Sequence, residues 1–586
     1  MRMERRKCLQ FLCFPILAIL IVPIDAAALR FSSACSGGDN DVLLNSLDDV
    51  TAPSWLTCEL CKFSVTLVQT RLKENVTRDE IVKEAIKICI KLEVEDERVC
   101  ELVIPEFQDW FITVVQKLIF SPDELCGLML GSDCAKPYNP FEQWNITLPD
   151  TPKPPVFPPK PPKHHYPKER VLHISDIHYD KEYSPGSNAE CGEPICCRVN
   201  DGKPPEGHEG AGKWGDYRNC DASKLLLENM FQHLHRKEKF DYAFFTGDIP
   251  AHDVWNQTEG SQLEALHTVT HYFKKYLGDT PIFPAVGNHE SAPANNFPSP
   301  SIDEKHSIQW LYNALADTWI QKTGWLPENT RETIKKGGYY STQIKPGLQL
   351  ASINTMYCYN LNFWLYLNTT DPADQLQWLI SVLQSAEDSN EKVFIIGHIP
   401  PGIDDCLKRW SWNYYTIVNR YESTIAGQFF GHTHTDSFQV FYDEETLSRP
   451  LSVAYIAGSV TTQPTLNPAY RVYQIDGDYE GSSRMVLNHH TFIMNITDVN
   501  LTDKPEWRRE YSARDAYDME YLFPCDWHAI IQEFKRKDDL FNKYYTFFYK
   551  SHVSSICDAS CRARMICDLQ SGRSHDPSLC NITANY

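Results

Sequence analysis

FFTGDIPAHD, residues 244–253, decides how this chain reads. An apolar run stops abruptly at Gly247-Asp248. A short apolar run of this kind reads as a buried strand, and the position just past a strand's carboxyl end is where open α/β sheets place their chemistry. Asp248 is therefore a candidate metal ligand, although an Asp after a Gly also serves as an ordinary turn or cap. Working outward, apolar runs at 171–174, 282–286, 348–353, 393–396 and 425–430 alternate with helical patterns at 222–238, 261–277 and 372–386. The last pattern opens with Asp371 as cap and Pro372 in the first turn. This alternation predicts an α/β sheet flanked by helices. Almost every strand ends in potential ligands: Asp176-Ile177-His178, Asp248, Asn288-His289-Glu290, His398, and His432-Thr433-His434. One such ending is weak; five in this order point to a metal site.

The chain has 586 residues and a formal net charge of −21, which argues against nucleic acid as the main partner. Its start, MRMERRK followed by an apolar stretch and Asp25-Ala26-Ala27-Ala28, reads as a secretory signal over 1–28. A membrane anchor is the other reading of that stretch, and Pro15, Pro23 and the Ala triplet favour cleavage. No later segment is apolar enough to cross a membrane. All but two of the 20 cysteines lie beyond the signal, where disulfides persist, so a secreted or lysosomal protein is expected. Asn75, Asn145, Asn256, Asn368, Asn495, Asn500 and Asn581 are glycosylation acceptors, expected at the surface.

Between 55 and 137 the texture is that of amphipathic helices, with Cys58 and Cys61 as a close pair, Cys89 and Cys100 in the middle, and Cys126 and Cys134 at the end. Spacing alone leaves their connectivity open. The segment resembles a saposin B-type domain, a small helical disulfide module that handles lipids. The resemblance implies the pairs Cys58 with Cys134, Cys61 with Cys126, and Cys89 with Cys100. A stapled bundle with no lipid role is the plainer alternative, and Val65, Leu67, Val68, Trp110, Phe111 and Val115 suit either a closed core or an opened lipid face. The proline-rich segment 138–170, containing TPKPPVFPPKPPKHHYPKE, forms neither helix nor central strand. It reads as a polyproline tether of about 50 Å if fully extended.

The ligand-bearing endings resemble those of the binuclear calcineurin-like metallophosphoesterases. GDIPAHDVW, GNHE, NTTDPADQLQWL, IIGHIPPG and FFGHTHTDSF, behind a saposin-like module and a proline tether, are similar to the acid sphingomyelinase family over nearly the whole mature chain. The resemblance implies an α/β metallophosphoesterase core at 171–492, built as a two-sheet sandwich flanked by helices. An all-α saposin-type domain would precede it and a helical, disulfide-containing region, 493–586, would follow. It implies two zinc ions, one held by Asp176, His178, Asp248 and His434, the other by Asp248, Asn288, His398 and His432, with Asp248 bridging. Ligand type alone also admits manganese or iron. His252 and His289 would brace the phosphate and protonate the leaving group, with their order left open; Glu290 would be a supporting acid.

The resemblance further pairs Cys191 with Cys196, Cys197 with Cys220, Cys358 with Cys406, Cys557 with Cys561 and Cys567 with Cys580, leaving Cys35 and Cys525 over. A zinc knuckle is another reading of Cys191, Cys196, Cys197 and Cys220. Tyr470 aligns with a tyrosine near the head-group site; ordinary strand packing explains it equally. LSVAYIAGSV and AYRVYQID read as strands completing a second part of the sheet. The implied activity is hydrolysis of sphingomyelin, in membranes or lipoproteins, with the saposin-like module at the membrane surface. A phosphodiesterase for soluble nucleotides and a lipid-transfer protein with an inert phosphoesterase domain are the alternatives; oligomeric state is not readable.

Overall fold

The computed structural model describes residues 54–580 apart from 92–93, 119, 131–133, 135–142, 164 and 238. The predicted signal, Cys35 and Asn581 lie outside the described residues. Two compact units emerge, one holding the residues before 141 with short pieces at 192–194 and 253–256, the other the remainder.

The smaller unit is helical: α1 (Ser54–Lys73), α2 (Arg78–Lys91), α3 (Glu97–Lys117) and α4 (Pro122–Leu130). Local chemistry starts these helices. Asp96 caps α3 by accepting from Arg98 N at 2.9 Å. Ser121 and Glu124 cap α4 reciprocally, Glu124 Oε2 accepting from Ser121 N at 2.7 Å and Ser121 Oγ from Glu124 N at 3.2 Å. Disulfides join Cys58 to Cys134, Cys61 to Cys126 and Cys89 to Cys100. Val65, Val68, Trp110, Phe111 and Val115 are buried, and Leu67 is half-buried. No helix among the described residues is long and apolar enough to cross a membrane.

The larger unit is built on two six-stranded sheets. Its strands are β1 (Lys168–Ile174), β2 (Tyr179–Asp180), β3 (Ala222–Ser223), β4 (Tyr242–Phe245), β5 (Ile282–Pro284), β6 (Tyr340–Lys345), β7 (Leu348–Ser352), β8 (Lys392–Ile396), β9 (Ile425–Phe430), β10 (Ser437–Tyr442), β11 (Pro450–Ile456), β12 (Ala469–Asp476), β13 (Val486–Ile493) and β14 (Arg508–Ser512). One sheet runs β14-β13-β12-β1-β4-β5 and the other β10-β11-β9-β8-β7-β6. β1, β4 and β5 are mutually parallel, as are β7, β8, β9 and β11. The inner faces meet through aromatic rings. Phe244 of the first sheet lies 4.6 Å, centroid to centroid, from Phe429 and 6.0 Å from Phe394 of the second. Successive residues of β8 serve opposite faces: Phe394 and Ile396 fill the inter-sheet core, while Val393 and Ile395 pack outward against the helices Gln375–Asp388 and Lys408–Arg420. Burial on both faces explains why this strand reads as one unbroken apolar run.

Several expectations are corrected. The helix expected from 372 begins at Gln375, behind a tight turn in which Asp371, Ala373 and Asp374 have positive φ. Asp371 still caps it, accepting from Leu376 N at 2.7 Å and Gln377 N at 3.0 Å. The helix expected from 222 starts at Lys224, because Ala222–Ser223 pairs with β2. LSVAYIAGSV and AYRVYQID do not share a sheet: β11 joins β9, and β12 joins β1. The C-terminal region is mainly helical, as expected, with one strand added. Its β14 extends the first sheet, and its helix Pro524–Arg536 sets Trp527 4.1 Å from Phe438.

The described residues of the proline-rich segment from 144 onward carry no helix or strand before β1, but its first half is no free spacer. Trp144, Ile146 and Leu148 pack on the core under the helix Lys408–Arg420. Ile146 N donates to Asn413 Oδ1 at 3.2 Å, Gln377 Nε2 to the Thr147 carbonyl at 3.0 Å, and Arg420 Nη2 to the Thr151 carbonyl at 3.0 Å. Lys153 pairs with Glu422. Farther on, the ring of Tyr166 lies 4.0 Å from that of Tyr479.

A buried ion pair ties the sheets together. Arg471 of β12, 1% exposed, pairs with Asp436, just before β10. Asp436 also accepts from Thr491 Oγ1 and Tyr511 Oη, both at 2.6 Å. Removing one partner of such a pair strands the other charge in a medium that cannot solvate it. Asp436→Ala is therefore expected to lower the unfolding free energy of the larger unit by about 3–5 kcal/mol in urea titration. An unchanged midpoint would show that the pair contributes nothing.

Candidate metal centre

Every residue expected as a ligand sits just past the carboxyl end of a parallel strand. Asp176 and His178 follow β1, Asp248 follows β4, Asn288 follows β5, His398 follows β8, and His432 and His434 follow β9. The chain turns sharply at these ends. Asp176, His178, Asp248, His432 and His434 all have φ between +43° and +71°, a conformation that side chains adopt at a cost of about 1–3 kcal/mol each. Backbone bonds hold the turns in place: Asp176 N donates to the Gly247 carbonyl at 3.0 Å and Ile177 N to that of Asp248 at 2.9 Å. Gly247, φ +91°, permits this crossing, since a Cβ there would lie 2.5 Å from Gly287 N.

The side chains converge with one nitrogen of each imidazole turned toward its neighbours. His178 Nδ1–H donates to the Pro250 carbonyl at 2.8 Å and His434 Nδ1–H to that of Gln463 at 2.7 Å. Their Nε2 atoms then meet at 3.1 Å, with Asp248 Oδ2 3.4 Å from His178 Nε2 and Asp176 Oδ1 3.6 Å from His434 Nε2. Burial pushes both imidazoles well below 6.5, so both are neutral. A second convergence adjoins the first. His398 Nδ1–H donates to the Thr246 carbonyl at 2.7 Å and His432 Nε2–H to Asp405 Oδ2 at 3.2 Å. His398 Nε2 and His432 Nδ1 then face each other at 3.2 Å, and Asn288 Oδ1 lies 2.9 and 3.1 Å from them. Asn288 is oriented by its Nδ2, which donates to Asn295 Oδ1 at 3.0 Å.

Asp248 Oδ2, 3.1 Å from His398 Nε2 and 3.4 Å from His178 Nε2, belongs to both groups. Burial opposes ionisation of Asp248, but the neighbouring His398, itself pushed up to about 9 against burial by this carboxylate, outweighs it and holds the carboxyl well below the ordinary carboxylate range. Polar groups buried this close together suit a shared cation, and imidazole, carboxylate and amide oxygen are donors that borderline divalent ions accept. The second nitrogen of each histidine is already bonded to a carbonyl or carboxylate, which is how metal-binding imidazoles are oriented. The residues fit a divalent metal, and groups able to hold one include His178 with His434, and Asp248 with His398 and His432. His252 and His289 also come within ligand reach of these groups.

Those two histidines differ in setting. His252 stacks on His178, centroids 3.8 Å apart, and its Nδ1–H donates to Asp221 Oδ1 at 2.9 Å. Burial alone would lower His252, but the fully buried Asp221 carboxylate outweighs it and leaves the imidazole above 6.5. His289 has no such partner. Burial pushes it down to about 4, and its backbone N donates to Asp248 Oδ1 at 2.9 Å. Glu290 Oε1 accepts from Ile249 N at 3.0 Å, and burial pushes this carboxyl up to about 8.

Other expected site residues are placed as follows. Tyr470 is 1% exposed, stacked 4.9 Å from Phe492 with its hydroxyl on His233 at 2.9 Å; it packs a strand and touches no residue of the centre. Cys191–Cys196 and Cys197–Cys220 are disulfides, which excludes a zinc knuckle; Cys358–Cys406 and Cys557–Cys561 are also formed. Cys567 is disulfide-bonded, its expected partner Cys580 lying outside the described side chains, and Cys525 is free and exposed. Asn75, Asn145, Asn256 and Asn368 are exposed and Asn495 half-buried. Asn500 is exposed as well, its Nδ2 donating to the Gly215 carbonyl at 2.9 Å and its Oδ1 accepting from Trp214 N at 3.0 Å. Sequence reasoning missed Asp221, Asp405, Asn295 and Thr461. Asp221, ahead of Ala-Ser and a helix, carries only the local signal of a cap.

Strand ends that gather such ligands on a two-sheet sandwich define a metallophosphoesterase. The family model for calcineurin-like phosphoesterase matches residues 169–436, that for the acid sphingomyelin phosphodiesterase C-terminal region 450–578, and that for saposin-like type B, region 1, 56–93. The chain is 47% identical to the sphingomyelin phosphodiesterase of Homo sapiens over 91% of its length and 84% of that protein's. It is 47% identical to that of Bos taurus, over 90% and 83%. A cyclic GMP-AMP phosphodiesterase of Mus musculus is 32% identical over 67% of this chain and 87% of its own. The chain belongs to the sphingomyelin phosphodiesterase family.

The shared position of Asp248 has a measurable consequence. Asp248→Ala is expected to lose both metal sites, and His178→Ala mainly one, in metal analysis of folded protein by mass spectrometry. A full complement in the Asp248 variant would show that another residue bridges.

Proposed function

We propose that the protein hydrolyses sphingomyelin to ceramide and phosphocholine. The observation that carries this reading is the joint presence, in one chain, of a saposin-like module and a complete acceptor cluster, in a sequence 47% identical to the human sphingomyelin phosphodiesterase over 91% of its length. Two zinc ions would be held, one by Asp176, His178, Asp248 and His434, the other by Asp248, Asn288, His398 and His432. Bound metal supplies Lewis acidity, making water nucleophilic and offsetting phosphoryl charge. The chain's own histidines complete the chemistry. His252, its Nδ1–H committed to Asp221, keeps Nε2 for the proton that the departing ceramide oxygen needs. His289, neutral beside it, braces a phosphoryl oxygen. The predicted signal and the disulfides support a secreted or lysosomal location, and the saposin-like module supports a membrane surface as the place of action.

A ceramide alkoxide is a poor leaving group, and a positioned acid speeds its departure by about 100-fold to 10,000-fold. His252→Ala is expected to lose sphingomyelin turnover by that order, retain its metals, and lose much less on a nitrophenyl phosphodiester, whose leaving group needs no proton. Asp221→Asn is expected to follow the same pattern more weakly, and His289→Ala to reduce both substrates together. Equal losses on both substrates in the His252 variant would move the acid role to His289. Hydrolysis of a nucleotide diester in preference to choline-labelled sphingomyelin would replace the lipid reading with that suggested by the mouse relative. The module's part is tested by deleting 55–134, expected to cost far more activity on liposomes than on the soluble diester; equal losses would make its role structural.

A further inference from the structure

Lys550 is a buried charged group near the centre that the chemistry above leaves unused. It belongs to the C-terminal region, directly after the helix Asp538–Phe548, and is fully buried at φ +51°. Its Nζ donates to the Ser459 carbonyl at 3.0 Å and to Ser459 Oγ at 2.7 Å. Its own carbonyl accepts from Asn467 Nδ2 at 2.9 Å. Gly458 makes room for it, since a Cβ there would lie 2.8 Å from Lys550 Cδ. A buried ammonium this deep costs far more than a packed methylene chain unless its position is needed or paired. Burial pushes it down to about 7, against the pull of Asp176, Glu510 and Asp436.

The loop it grips, residues 459–463, touches the centre at every turn. Ser459 N donates to the His434 carbonyl at 3.2 Å, and Val460 N and Thr461 N both donate to the Asp176 carbonyl at 3.1 Å. The Gln463 carbonyl accepts from His434 Nδ1 and so fixes which ring nitrogen faces inward. Thr461 Oγ1 donates to Asp221 Oδ1 at 2.8 Å, behind the bond from Asp221 to His252. Ser459 Oγ, held by Lys550, itself donates to the Thr461 carbonyl at 2.9 Å. Backbone at Asp176 and His434 is already left-handed, so these bonds maintain a conformation the chain would otherwise leave.

We propose that Lys550 is a positioning residue for the phosphodiesterase centre: through Ser459 it locks the 459–463 loop that sets His434, Asp176 and the Asp221–His252 pair. The C-terminal region thereby acts on catalysis without supplying a group that meets the substrate. The inference rests on the roles proposed above for His434 and His252.

The test is a double-mutant cycle in the full-length enzyme, using Lys550→Met, which keeps the stem and removes the ammonium, and Thr461→Val, which removes the bond to Asp221. Each single variant is expected to lower kcat on sphingomyelin about tenfold or more, the usual cost of losing an outer partner of a metal site, with KM little changed. The double variant is expected to be no worse than the poorer single one, because both act through one loop. Losses that multiply to within about twofold, or a Lys550→Met enzyme with native kcat, would overturn the inference. A fall in kcat matched by an equal fall in the folded fraction, read by circular dichroism at the assay temperature, would also overturn it. Should Lys550→Met not fold, Gly458→Ala takes its place in the cycle, displacing the ammonium without removing it. His252→Ala is run alongside on both sphingomyelin and the nitrophenyl diester. Its failure to discriminate between them would sink the acid assignment alone, while coupling between 550 and 461 would still decide the role of Lys550.

Discussion

Metal-ligating side chains crowded together in the interior are the constraint on which the rest of this structure depends. His178 with His434, and His398 with His432 and Asn288, bring ring nitrogens and an amide oxygen to about 3 Å. The other nitrogen of each ring is bonded to a carbonyl or a carboxylate. Crowding of this kind calls for a cation to share these groups and for a scaffold stiff enough to hold them ready. Stiffness comes from the two sheets, whose parallel strands deliver five chain ends to one place, and from left-handed turns that aim the side chains back over those ends. The buried Arg471–Asp436 pair and the aromatic layer of Phe244, Phe394 and Phe429 serve the same end, since they keep one sheet from sliding on the other.

The strands that carry ligands were legible in the sequence because burial on both faces makes them unbroken apolar runs. β9 falls where the sequence places it, to the residue. β6 was not legible: at a sheet edge, with only Tyr340 buried, YSTQIK looks like a loop. The start of the helix at Gln375 was misjudged because Asp371 does cap it, but from five residues away, across a turn that Asp-Pro-Ala-Asp gives no warning of. Among site residues, those that converge at the centre announced themselves through repeated Gly-Asp, Gly-Asn-His and Gly-His endings. Their supporters did not. Asp221, Asp405 and Thr461 act across 27 to 240 residues of chain, and nothing local separates them from caps and turns. Tyr470, marked by resemblance, is buried with its ring on Phe492 and its hydroxyl on His233, a packing that its place in β12 also accounts for.

What decides between two chemically similar histidines is likewise remote from them in sequence. His252 and His289 are neighbours around the same centre, with rings 4.7 Å apart. A carboxylate behind one and none behind the other separates them, and that carboxylate, Asp221, directly follows the loop closed by Cys197–Cys220. Division of labour at the centre is thus written in the supporting residues more than in the histidines themselves.

The strap formed by residues 144–153 changes what a break in the proline stretch would mean. Trp144, Ile146 and Leu148 pack half-buried against the apolar core, and Asn413, Gln377, Arg420 and Glu422 hold the backbone and Lys153 that follow. The prolines from 154 to 162, exposed or half-buried, consequently join two points on the same unit. A proteolytic nick among them severs the chain but not the attachment: the N-terminal fragment stays docked by its strap, and a cleaved enzyme migrates as two bands under denaturation while remaining one particle in solution.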